Sequence, residues 1–178
     1  MPEMDYSEHL RPIVRTLQKI AGAMVVGSAA FLIVCMFSGL TPDASSPMTL
    51  SYTALGIAPL SVIGSFILAH VIVSNGRSQI IQREYVDSRI KPHDVFASTD
   101  AGRVCGVLST VTIIRCAMIE GAALLACLAY MNEGNQLVLA ATVVLIAVLA
   151  AHIPTTVRTK HWIAHQLRII ERSRPQDQ

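Results

Sequence analysis

Arg115 and Glu120 stand inside the apolar run VCGVLSTVTIIRCAMIEGAALLACLAYM, residues 104–131. Charged side chains within a membrane-length helix are costly unless partnered. Their chemistry is that of a proton or ion site, or of a polar clasp that fixes helix register. Five positions set the two residues about 140° apart around a helix, too far to pair with each other. Cys116, Ala117, Ala123 and Cys127 occupy the helical neighbour positions of Glu120, and all are small. That pattern predicts a packed helix–helix face and puts the partner of Glu120 on another helix. His70 and His152, each near the end of an apolar run, are the first candidates to meet it. Glu120, Arg115, His70 and His152 therefore form a candidate intramembrane polar cluster.

The same two histidines, on separate helices, have the residue type of axial ligands for a b-type haem. Histidines near a membrane surface are more often plain interfacial residues, and no cofactor is expected. His161 and His165 are spaced i, i+4 but have no evident third ligand, so no metal site is expected. Cys35, Cys105, Cys116 and Cys127 all lie in apolar runs without a CxxC pair, which argues against a disulfide framework or a zinc site. No phosphate-binding glycine loop, Ser-His-Asp order or HExxH sequence occurs, and a non-enzymatic protein is expected.

The elements that must position these residues are helices. Hydrophobic residues make up 52% of the 178-residue chain and charged residues only 15%, with a mean hydropathy of +0.51. The apolar residues fall into four blocks, which is the membrane class. Spans are predicted over about 20–39, 51–73, 104–131 and 136–153. A polar loop covers 76–103 and an amphipathic tail 155–173. The expected fold is thus all-α: a single membrane domain over 1–178, built as a four-helix transmembrane bundle. Nineteen polar and amphipathic residues precede the first apolar run, which reads as a retained span rather than a cleaved signal. Pro12 can open the first helix. Ala23 with Gly27, and Ser61 with Ser65 and Ala69, form small-residue faces. Asn75-Gly76 reads as a helix stop and Ser98 or Thr99 as the next N-cap. Ile80–Ile90 is either an extension of the second span or a short amphipathic helix. The turn Asn132–Asn135 joins the last two spans, and Pro154 ends the fourth.

Of the 14 Lys and Arg residues, all but Arg115 lie in the N-terminal arm, the middle loop or the tail. By the positive-inside rule, both termini and the middle loop are expected on the cytoplasmic side. On the tail, Val157, Trp162, Ile163, Leu167 and Ile170 mark an apolar side. Trp162, with Arg158, Lys160 and Arg168, suits the headgroup layer. The expected partners are the lipid bilayer and either further copies of the chain or a larger membrane complex. No charge run suggests nucleic-acid binding. Residues 23–29 can also be laid on 117–123, with Val26 in the place of Glu120; chance between two Ala/Gly-rich helices is the expected reading and a parallel duplication the alternative.

The run IIRCAMIEGAALLACLAYMNEGN (113–135) and the later IPTTVRTKHWIAHQL (153–167) resemble an uncharacterised group of small four-pass bacterial integral membrane proteins. That group has an R-x-A-x-x-E-G-A run in its third span, a short Asn-rich turn, a Pro-Thr step and a Trp-bearing amphipathic tail. Arg115, Glu120, Gly121, Pro154, Thr155 and Trp162 fit the pattern. The resemblance covers about residues 112–170, and the first half agrees only in topology. It implies the fold and a bacterial cytoplasmic (inner) membrane, and no activity. The leading functional expectation is an accessory or structural subunit of a membrane complex. A small proton or ion channel or transporter using Glu120 is the alternative, and a b-haem redox subunit using His70 and His152 the second.

Overall fold

A computed structural model of the chain describes residues 7–38, 48–82 and 99–173, with side chains from Leu10 onward in the first stretch. Five helices build it: α1 (Ser7–Phe37), α2 (Thr49–Ile81), α3 (Asp100–Glu133), α4 (Gln136–Ala151) and α5 (Thr156–Ser173). Helices α1, α2 and α3 are each long and apolar enough to cross a membrane. Helices α4 and α5 meet that standard only as a bent pair, which makes three spans or up to four.

The first three helices run well past the predicted spans. α1 starts before Pro12, which sits inside it rather than opening it. α2 continues through Asn75-Gly76 to Ile81 instead of stopping there. Gly76 is buried, and a Cβ on it would meet Val107 Cγ2 of α3 at 2.6 Å. The glycine lets two helices approach and does not end one. Residues 83–98, which include most of Ile80–Ile90 and Ser98, lie outside the described residues.

The helix ends follow their capping chemistry. Thr99 Oγ1 accepts from the Gly102 N–H at 3.2 Å and opens α3. At the other end Gly134 is left-handed (φ 64°) and its N–H donates to Tyr130 O at 2.8 Å. Asn135 then caps α4, its side chain accepting from the Leu137 N–H at 2.9 Å. α4 stops at Ala151, two residues short of the predicted span, and Pro154 follows. Thr155 caps α5 through the Arg158 N–H.

The chain divides into two compact units. The first comprises 1–18, 68–112 and 154–178, and the second Lys19–Ile67 and Ile113–Ile153. In the first, Leu10, Ala69, Ile80, Val104, Val111, Ile163 and Ile170 make one core. Gln18 Nε2 also donates to Pro154 O at 2.8 Å. The apolar side of α5 packs into that core through Ile163 and Ile170, with Trp162 and Leu167 half-buried against it. Val157, expected on this side, is exposed. In the second unit α1, α2, α3 and α4 pack through small residues, among them Ala21, Ala58, Cys116, Ala122 and Ala123. α3 is the central helix: 39% of its most apolar stretch is buried, against 22% in α1 and 17% in α2. Ser61, Ser65 and Ala69 are buried, as their spacing predicts. The hydroxyls of Ser61 and Ser65 donate to carbonyls of their own helix at 2.7 Å, which suits an apolar setting.

Candidate functional site

Within the second unit, Arg115 lies between Phe66 of α2 and His152 at the C-terminal end of α4. Helix α4 ends in carbonyls without intrahelical donors. His152, the C-cap residue, turns its ring back so that Nδ1–H donates to Val148 O at 2.7 Å. That bond fixes the tautomer and leaves Nε2 as an acceptor. Arg115 Nη2 donates to it at 2.9 Å. The guanidinium carbon lies 4.3 Å from the centroid of the Phe66 ring, a cation–π contact. The Phe66 and His152 rings meet edge to face at 5.7 Å. Two side chains, Phe66 of α2 and His152 at the end of α4, thus flank the cation that α3 carries. Arg115 does not simply reach outward to water, and its buried Nε has no partner among the described residues.

This arrangement fits a clasp better than a haem site. Axial ligation needs a free ring nitrogen, and both nitrogens of His152 are engaged by the protein. His70 is exposed and has no hydrogen-bond partner among the described residues. The residues present do not fit the group. No set of three His, Cys, Asp or Glu among the described residues can hold a metal ion. His161 and His165 are both exposed on α5, as are Arg158, Lys160 and Arg168.

Glu120 is half-buried on α3. Its Oε1 lies 4.0 Å from the point that a Cβ on Gly27 of α1 would occupy. Glu120 thus comes near another helix, at a glycine, and no hydrogen bond or ion pair joins it to either histidine among the described residues. Among the described residues the carboxylate has no hydrogen bond or ion pair. Cys116, Ala123 and Cys127 are fully buried as the spacing predicts, whereas Ala117 is exposed. Of the four candidates, the structure brings Arg115 and His152 together and leaves Glu120 apart from them.

Sequence reasoning missed two partners. One is Phe66, which carries no charge to mark it. The other is Glu133, whose two carboxylate oxygens accept from the Leu50 and Ser51 N–H groups at 2.8 Å each. It caps the N-terminus of α2 from the last residue of α3. An acidic residue ending a helix, where its own helix dipole disfavours it, was the available signal.

No family model, curated protein or solved structure matches this chain.

Proposed function

We propose that this protein is an accessory or structural subunit of a larger membrane complex, without catalytic activity of its own. It is a multi-pass protein of a bacterial cytoplasmic membrane, with both termini in the cytoplasm, and belongs with the four-pass group that its third span resembles. The observation that carries the reading is the fate of Arg115. Its charge is spent on Phe66 and His152, inside the protein, to hold α2, α3 and α4 together. That leaves Glu120 as the charge of α3 within the second unit that has no partner among the described residues, beside an exposed glycine of α1. A transport path needs a succession of free polar groups. Of the buried hydroxyls in the second unit, those of Ser61, Ser65 and Thr142 are bonded to their own helices, and only those of Ser28 and Ser51 have no partner among the described residues.

Charge supports the orientation. Among the described residues, every Lys and Arg except Lys19 and Arg115 belongs to the first unit. Helix lengths support the spans. The helical segments of the second unit, 19–37, 49–67 and 113–133, come to roughly 28–31 Å at 1.5 Å per residue, the thickness of the hydrocarbon.

The competing reading, a proton or cation site at Glu120, rests on the same unpaired carboxylate. Flux measurement in liposomes separates the two. Vesicles holding the purified protein should pass protons and monovalent cations no faster than empty vesicles. Flux above that background that disappears in Glu120→Gln would establish transport and overturn the subunit reading.

A further inference from the structure

We infer that the face around Glu120 is the docking site for a transmembrane helix of another protein, one that carries a basic side chain at the depth of Glu120. The inference deepens the subunit reading and rests on it. An intramembrane carboxylate with no donor among the described residues draws one from a partner, or lies against lipid at a cost. The surroundings of Glu120 admit a helix. Gly27 and Ala23 on α1, and Ala117 and Gly121 on α3, are all exposed. A Cβ added to Gly121 would meet nothing within 4 Å, and one added to Gly27 only Glu120 Oε1. Small residues let a second backbone come close, and in lipid close packing together with polar contacts is what drives helices to associate.

The charge on this face selects the occupant. Headgroup phosphates are anionic and repel a carboxylate. Among the described residues of the second unit, a second copy offers no suitable donor. In the second unit Arg115 is already engaged, and Lys19 stands eight residues before Gly27, about 12 Å along α1. Two copies related by a two-fold axis through this face would bring carboxylate against carboxylate. A different chain bearing Lys or Arg satisfies Glu120 and fills the small-residue face at once.

The probe is a synthetic leucine–alanine helix of about 22 residues, long enough to span, with one central lysine and an acceptor dye. It is reconstituted in phosphatidylcholine vesicles with the donor-labelled full-length protein. Control helices carry Leu or Glu in place of the lysine. Saturable energy transfer is expected for the lysine helix and only random transfer for the controls. Glu120→Gln should weaken the association about tenfold, the scale of one interhelical polar contact. Gly27→Leu with Gly121→Leu should block it; both positions are open, so the fold should tolerate the change. Equal transfer from the lysine and leucine helices would overturn the inference, as would undiminished binding by Glu120→Gln. Self-association of the wild-type protein that Glu120→Gln abolishes would also overturn it, in favour of a second copy. The flux assay contains no added helix, so failure of the subunit reading is seen separately.

Discussion

Arg115 shows how one charge is accommodated inside an apolar protein. The ring of Phe66 and the lone pair of His152 Nε2 replace water on two sides of the guanidinium. The consequence is an asymmetry between its partners. Arg115→Met removes the cation together with its need for an acceptor and should cost about 1 kcal/mol, the typical value of an interhelical polar contact in a membrane protein. His152→Phe keeps the cation and takes away the acceptor, so it should cost more, about 2 kcal/mol, because a polar group is left unmet. The double variant should then be less damaged than the sum of the two. Reversible unfolding in mixed micelles measures all three, and additive losses would mean that the pair is not coupled. The sequence carried half of this. The 140° between Arg115 and Glu120 excluded a pair between them, and none forms. It grouped Arg115 with His152 without specifying the bond and carried nothing of Phe66, because spacing along one helix sets a direction and says nothing of what another helix presents there.

At the scale of the helices, the readable features were those decided locally. The cap at Thr99, the left-handed turn at Gly134 and the break before Pro154 each depend on a few neighbouring residues, and each stands where its chemistry puts it. Gly76 shows the limit. A glycine after an asparagine is a good stop by local rules, yet α2 passes through it because α3 needs the space. Gly76→Ala should therefore destabilise the protein, since its Cβ would lie 2.6 Å from Val107 Cγ2. Val107→Ala removes that atom and leaves the Val107 Cβ position 3.6 Å away, an ordinary contact. The double variant should recover stability relative to Gly76→Ala, as followed by thermal unfolding in detergent. If it does not, the glycine is required for some other reason. Glu133 gives a second test between helices. Its carboxylate meets the two N–H groups that begin α2, where the positive end of the helix dipole favours an anion. Glu133→Ala should lower the melting temperature by roughly 2–4 °C. Hydrogen exchange should quicken at Leu50 and Ser51 and stay unchanged at the first turn of α4, which Asn135 caps independently. Uniform quickening across both helices would exclude a local cap.

For the whole molecule, the length of α4 makes the most specific demand. Its 16 residues reach about 24 Å, against roughly 28–31 Å for the segments of α1, α2 and α3 in the same unit. Sequence reasoning carried the fourth apolar block to Ile153; the helix ends two residues earlier because the His152 side chain and Pro154 close it. If α4 crosses the bilayer as proposed, its short reach leaves a mismatch with a hydrocarbon core of about 30 Å, and the bilayer must thin beside it. The other three helices tolerate thinning, since each continues past its apolar segment. The protein should therefore prefer thin bilayers. Reconstituted in phosphatidylcholines with monounsaturated chains from 14 to 22 carbons, a series spanning roughly 20–35 Å of hydrocarbon, it should melt highest near the 24 Å end. Stability should fall by fractions of a kcal/mol for each further ångström. Lengthening α4 by one turn, with four leucines inserted between Val144 and Leu145, shifts the register of every later residue and is a poor control. The lipid series leaves the chain intact. A melting temperature that rises steadily with chain length would mean that α4 does not set the thickness, and would favour three spans with α4 held outside the hydrocarbon.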